Sequence, residues 1–477
     1  VSANRPINAD VGASQDPLKP VGKPDPAPEA PNSVEPAEKP RREPPKEPPA
    51  RRRRRGIPGP IKLIAALVLI AIGFIVLAVV AGGGSKKGAE SAAPAQKAAA
   101  TAADGSEESS SSSSSSESEG DQAAEAPSAG AEELGFPSFA TSNTTRIGGS
   151  DPTSNAAATA LAVFPGSNEK QRPVAVALVG TEDWAGAIAA AVLMAEPVRA
   201  PLLFGEPEGV PGPTAEALER LQPHGGAASG GHAVLAIGDV QVPGGMRAAK
   251  VAQGDAAGEA AAIARLRDRL AGSPPQAILL ASSSEPAFAA PAAAYAARSG
   301  DPVLFTETGK LPQETVAALR REKGVPVYAL GPGSAISGKV LKEVEKLGAK
   351  VHRISGDNPI SAAIAFARFG EGKFGWHVSD PGHGFVLARA DAPLEAAAVS
   401  PLSASGTWGP LLLTDSADKL PSELRGYFLD VKPGYTTDPT RAFYNHVWIV
   451  GDTGQISVEQ QAEVNEVAEL AKIGAEE

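Results

Sequence analysis

Val174-Ala175-Val176-Ala177-Leu178-Val179-Gly180 is an unbroken apolar run closed by glycine. A strand with one wet face alternates apolar and polar residues. A short continuous run bounded by turn residues is what a strand buried on both faces requires, and such strands belong to parallel sheets covered by helices. His232-Ala233-Val234-Leu235-Ala236-Ile237-Gly238 has the same character, and Ala-rich helical stretches separate runs of this kind through the C-terminal two thirds of the chain. The fold class read from this alternation is α/β.

Self-similarity organises the region. Three Gly-Asp steps precede Ala-rich helices: Gly149-Ser150-Asp151, Gly254-Asp255 and Gly356-Asp357, with the aspartates 104 and 102 residues apart. Each is followed by a proline-led strand, namely Pro201-Leu202-Leu203-Phe204, Pro302-Val303-Leu304-Phe305 and Pro410-Leu411-Leu412-Leu413-Thr414. Proline-led amphipathic helices come next, at Pro213-Thr214-Ala215, Leu311-Pro312-Gln313 and Leu420-Pro421-Ser422. A final strand then ends in glycine, at Ile237-Gly238-Asp239, Leu330-Gly331-Pro332-Gly333 and Val450-Gly451-Asp452. Four landmarks in one order, three times, predict three tandem α/β repeats, each a small three-layer unit of strands and crossover helices, at 141–250, 251–350 and 351–477. Asp151, Asp255 and Asp357 are expected helix N-caps, accepting from free amide groups of the first turn. The prolines suit a strand entry or a first helical turn, where the missing N–H is not needed.

Thr145-Arg146-Ile147-Gly148-Gly149-Ser150-Asp151, Thr181-Glu182-Asp183-Trp184-Ala185, Ala200-Pro201-Leu202-Leu203 and Val351-His352-Arg353-Ile354-Ser355-Gly356-Asp357 together resemble the cell wall-binding repeat 2 family. The resemblance covers about 141–470 as three copies. It implies a Rossmann-like, doubly wound fold for each repeat, the three packed into a compact pseudo-threefold body that attaches noncovalently to anionic cell-wall polymer. Arg146 and Arg353 are the polymer-binding candidates it carries over, and their guanidinium forks match phosphate or carboxylate groups. The second copy opens Val251-Ala252-Gln253-Gly254-Asp255, without an arginine, and Pro152-Thr153, Ala256-Ala257 and Asn358-Pro359 replace the family's Arg-Tyr step.

The N-terminal part is a different kind of chain. Residues 1–60 are rich in Pro, Lys, Glu and Arg and close with Arg51-Arg52-Arg53-Arg54-Arg55. With almost no large apolar side chains, this arm cannot offset its conformational entropy by burial, and disorder is expected. Within 61–82 lies LIAALVLIAIGFIVLAVVA, Leu63 to Ala81, nineteen uncharged residues. At ~1.5 Å per residue they match a bilayer's hydrocarbon thickness of ~30 Å, and the run is too long and too far inside the chain for a signal peptide. Thirteen Lys/Arg precede it and only Lys86 and Lys87 follow closely, so the reading is a single transmembrane helix with a cytoplasmic N-terminus and exported repeats. Residues 83–140, with eight serines from Ser109 to Ser116 among acidic residues, read as a disordered tether.

The chain carries 44 Lys+Arg against 55 Asp+Glu, a net charge of −11, which argues against nucleic acid as a partner. It has no Cys and only six His, so disulfides, thiolate metal sites and a cysteine nucleophile are excluded, and neither metal nor cofactor is expected. His377-Val378-Ser379-Asp380-Pro381-Gly382-His383 gathers polar residues, but catalytic triads draw on separated parts of a chain, and no nucleophile elbow is present. Gly331-Pro332-Gly333-Ser334 reads as a strand-to-helix turn. Trp184 and Trp408, near predicted turns, are candidates for stacking on a sugar. Local cation clusters at Arg265, Arg267 and Arg269 and at Arg320, Arg321 and Lys323 would have to overcome the overall negative charge. The expected function is non-catalytic binding or scaffolding in a bacterial envelope. A solute-binding or sensory ectodomain is one alternative, and a degenerate envelope-glycan enzyme is another.

Overall fold

A computed structural model describes residues 139–405 and 408–474. The arm (1–60), the apolar run (61–82) and all of the tether but its last two residues lie outside the described residues. Among the described residues, no helix is long and apolar enough to cross a membrane.

The chain enters through β1 (Thr144–Ile147) and α1 (Pro152–Val163). Next come β2 (Val176–Gly180), α2 (Trp184–Ala190), β3 (Leu202–Gly205), α3 (Gly212–Leu221), β4 (Val234–Ile237) and β5 (Ala248–Ala252). The following segment holds α4 (Ala256–Ala271), β6 (Ile278–Ser282), α5 (Pro286–Ala289), α6 (Pro291–Ser299), β7 (Val303–Thr306), α7 (Gln313–Arg321), β8 (Val327–Leu330), α8 (Gly338–Lys346) and β9 (Val351–Ile354). The last comprises α9 (Pro359–Arg368), β10 (Gly384–Arg389), α10 (Pro393–Ala398), α11 (Ser400–Ala404), β11 (Leu411–Thr414), α12 (Ser422–Asp430), β12 (His446–Val450) and α13 (Val458–Ala468).

These strands form three parallel four-stranded sheets, ordered β3-β2-β4-β5, β7-β6-β8-β9 and β11-β10-β12-β1. The strand that opens each sequence copy is the outer strand of the sheet before it. β5 straddles the expected boundary at residue 250, β9 closes the second sheet, and β1 closes the third, pairing Arg146 with Ile449. The helix after each opening strand packs on the next sheet: α1 on β3 and α3, α4 on β7 and α7, and α9 on β11 and α12. Every opening therefore bridges two sheets.

The alanine richness has its reason at the centre. Helices α2, α6 and α10 pack against one another, and Ala187, Ala189, Ala293, Ala296, Ala396 and Ala397 on them are buried. A methyl side chain is small enough to let helices approach at the close end of the usual 8–10 Å. The inner strands β2, β6 and β10 are buried in their middles, as their unbroken apolar sequences require. The amphipathic helices α3, α7 and α12 have Pro211, Pro312 and Pro421 at the N-cap, so Pro213 is not the equivalent landmark; it lies inside the first turn of α3. Three residues after the capping proline, Thr214 and Thr315 donate to the carbonyls of Phe204 and Phe305, at 2.7 and 2.6 Å, tying each helix to the preceding strand.

Candidate functional site at the sheet junctions

Arg146 sits on the inner side of β1 and is 1% exposed. Its Nη1 donates to the carbonyls of Gly451 and Asp452 at 2.8 and 2.9 Å, and Nη2 to that of Ile456 at 2.6 Å. Nε donates to Gln461 Oε1 at 3.1 Å. Burial lowers its pKa to about 10, with Asp452 opposing the shift, so the group remains a cation at neutral pH. Arg353, half-buried on β9, repeats the pattern: Nη1 donates to Gly331 O and Nη2 to Ile336 O, each at 2.6 Å. Burial lowers its pKa too.

The two arginines hold corresponding loops. Gly331-Pro332-Gly333-Ser334-Ala335-Ile336-Ser337 and Gly451-Asp452-Thr453-Gly454-Gln455-Ile456-Ser457 each leave a strand and end in a serine that N-caps the next helix, α8 or α13. The guanidinium fork spans the loop from its glycine to its isoleucine, satisfying carbonyls that the turn leaves free. In the first sheet, the chain after Gly238 returns to β5 without a helix, and the β4–β5 register slips between Ala236 and Ile237. With no such loop to hold, the corresponding stretch of β5 carries exposed Lys250 and no arginine. The assignment of Arg146 to polymer contact is accordingly corrected, since this side chain has no face toward solvent and gives its donors to three carbonyls and Gln461, while half-buried Arg353 gives Nη1 and Nη2 to carbonyls of the loop it holds.

Asp151 caps α1, accepting from Thr153 N and Ser154 N at 2.9 and 3.0 Å, and Asp255 caps α4, accepting from Gly258 N at 2.8 Å. Asp357 does not cap. Asn358 accepts from Ser361 N at 2.9 Å while Ser361 Oγ accepts from Asn358 N at 3.1 Å, a reciprocal capping box. Proline explains the displacement: it occupies the first helical position, so the cap is the residue before Pro152 in one case and before Pro359 in the other. Asn358→Ala is expected to lower stability by ~1 kcal/mol, whereas exposed Asp357→Ala should stay within about 0.5 kcal/mol of the parent in denaturant titrations.

In each sheet the inner strand and its neighbour, β2 and β4 in the first, send their chains in opposite directions, and the crevice at their C-terminal ends is where open α/β sheets receive ligands. Here carboxyl groups line it. Asp183 caps α2, accepting from Gly186 N at 2.7 Å, and faces Glu259 of α4. Glu259 is buried, and its carboxylate also accepts from Gly254 N at 3.0 Å. Burial first, then a hydrogen bond to Asp183 and that carboxylate's charge, push its pKa up to about 8, so at neutral pH it carries a proton and donates it to Asp183. In the third sheet burial likewise raises Glu395, with Asp151 and Asp391 adding to the shift and Gln455 opposing it. These groups are the chemical opposite of a phosphate cradle. Sequence reasoning missed Asp183 and Glu259 as a pair because 76 residues separate them; only Asp183, ahead of a helix, carried a local capping signal.

The remaining candidates fall elsewhere. His383 Nε2 and Asp380 Oδ1 pair at 3.2 Å on an exposed loop at the opposite end of the third sheet. Trp184 stands edge-on to Phe305 at 5.7 Å in the interior, and Trp408 is exposed. Among the described residues, no group of three or more His, Asp and Glu is arranged to hold a metal ion. The two cation clusters meet: Arg265, Arg269 and Arg321 line one open groove of about 450 Å³ between α4 and α7, together with Asp268 and Glu322. Arg321 bonds both carboxylates, at 3.3 and 2.8 Å, and Arg267 bonds Asp268 at 3.2 Å. Arg265 and Arg269 are exposed and make no ion pair among the described residues.

This architecture has counterparts among solved structures. Cwp6 from Clostridium difficile superposes with a TM-score of 0.55 at 17% identity, over 69% of this chain and 48% of that one. Cwp8 from the same organism gives 0.52 at 16% identity, over 69% of this chain and 52% of that one. Both are cell wall proteins. The likeness is one of fold. The chain spans about half the length of each of these structures. No protein-family model and no curated protein matches the sequence.

Proposed function

We propose that the three-sheet body is a non-catalytic, wall-associating module of the cell envelope, related to the cell wall-binding repeat 2 family and carried on the membrane by the apolar run 63–81. In this reading the three sheets are copies of one ancestral unit about a pseudo-threefold axis, and the ligand is an anionic wall polymer. The fold shared with two cell wall proteins is the observation that carries it. With Arg146 and Arg353 committed to carbonyls, polymer contact falls to the outer groove. There three guanidinium groups, of Arg265, Arg269 and Arg321, outnumber the two carboxyls of Asp268 and Glu322.

The full chain, solubilised in detergent, should sediment with purified wall sacculi and stop doing so once the anionic polymer is extracted. Arg265→Glu with Arg269→Glu should abolish retention without changing the melting temperature. Retention that survives both treatments would refute the reading. A second reading, a solute-binding ectodomain, is favoured by a cavity of about 490 Å³ at the N-terminal end of the second sheet, where Arg298 and Lys373 stand beside Tyr295, Tyr328 and buried Asp301. A small metabolite that raises the melting temperature, with no retention on sacculi, would favour it.

A further inference from the structure

Among the described residues, the large apolar side chains that stand out in water are Trp408, Leu429, Phe443, Tyr444, Val458 and Ile473, and all of them belong to the segment of the third sheet. Five of the six, each between 46% and 70% exposed, gather at one end of it. The strands of this sheet are parallel, so Thr144, Gly384, Leu411 and His446 begin along a single edge. Trp408 lies just ahead of β11, and its neighbour Gly409 is packed so closely on the Gly384 carbonyl that an added Cβ would come within 1.7 Å of that oxygen. Phe443 and Tyr444 lie just ahead of β12, with Phe443 over Gly382. Asn445 ties this edge together, accepting from Gly382 N and His383 N and donating to Val431 O beside the end of α12, where Leu429 lies. Ile473 joins it through a 2.8 Å bond from its N–H to Tyr435 O.

The chain turns into β1 at this edge, Phe139 and Ala140 running antiparallel to the strand ahead of the turn at 141–143. Arg146 N donates to Phe139 O at 2.9 Å, and Thr145 Oγ1 meets His446 Nε2 at 3.0 Å. Fifty-seven residues separate Phe139 from Ala81, the end of the apolar run. As a coil they reach roughly 40 Å.

We propose that this aromatic edge is a lipid-contact surface by which the body settles on the headgroup region of the bilayer that holds residues 63–81. The inference rests on reading that run as a membrane span. Tryptophan and tyrosine favour the interface, where the ring leaves water while its polar edge stays hydrated. Exposed Asp380 on the same edge limits the contact to the headgroups. The affinity needed is small, because a tether of this length holds the edge near the lipid at an effective concentration of the order of millimolar.

All four tryptophans lie in the body and none in the apolar run, and Trp408 is the exposed one: Trp376 is buried, and Trp184 and Trp448 pack against the core. The full chain reconstituted in phosphatidylcholine/phosphatidylglycerol vesicles should therefore show tryptophan emission quenched when the acyl chains are brominated. Trp408→Phe should remove the quenchable part. Phe443→Asp with Tyr444→Asp, which keeps Trp408, should also abolish quenching while vesicle flotation and circular dichroism stay unchanged. A chain that floats with vesicles but is not quenched would overturn the lipid contact and leave the span intact. A chain that does not float would overturn both. Quenching that survives the double substitution would overturn the proposal. So would Trp408 emission that responds to protein concentration, as for a second copy, or to added wall polysaccharide, but not to bromine.

Discussion

Arg146→Met should be among the most damaging single substitutions in the described body, lowering its stability by ~3–5 kcal/mol. The change leaves the buried carbonyls of Gly451 and Ile456, and the partly buried one of Asp452, without their charged donor. It also removes the side-chain tie between β1 and the loop that follows β12. Arg146→Lys should recover little, since one ammonium cannot span a loop that a planar fork reaches at several points. Arg353→Met, where a half-buried guanidinium serves two carbonyls, should cost roughly 1–3 kcal/mol. Urea titration of the three variants checks this order. A fully stable Arg146→Met chain that no longer sediments with sacculi would instead return this residue to the polymer.

The second large effect is a dependence on pH. Glu259 is protonated in the folded chain up to a pKa of about 8, while an unfolded glutamic acid titrates near 4.5. Between those values the folded state holds a proton that the unfolded state has lost. The stability this proton confers is complete below pH 4.5, falls by up to ~1.4 kcal/mol per pH unit through that window and is gone above pH 8. Above it, two carboxylates face each other between α2 and α4, across the first and second sheets. Glu259→Gln keeps a donor for Asp183 and abolishes the titration. It should flatten the melting temperature between pH 5 and 9 and make the variant the more stable protein at pH 8.5. Parallel profiles for parent and variant would show that the pair does not share a proton.

Both effects lie at contacts between distant parts of the chain, which is why the sequence could announce one partner of each but not the other. Asp151 and Asp255 were readable because capping is decided within four residues. Asp357 went astray for an equally local reason: the aspartate stands two residues before Pro359 and not one, so the capping position falls to Asn358. Arg146 and Arg353, by contrast, look the same in sequence whether they face a polymer or a loop. Their acceptors, Gly451 and Gly331, stand 305 residues after Arg146 and 22 before Arg353. The missing arginine in the second copy was visible, but its cause, a β4-to-β5 return without a helix, required the sheet.

The amino-acid sequence by itself determined the α/β class, the buried parallel strands and most of the proline- and aspartate-marked helix starts. Each of these depends on the composition of a short window, where burial periodicity and local hydrogen bonding decide the outcome. Only the tertiary structure decided which sheet each opening strand completes, where the guanidinium groups point, and that Glu259 meets Asp183. Those outcomes depend on which carbonyls and carboxylates are brought together and cut off from water, a property of chain segments hundreds of residues apart that no window of sequence contains.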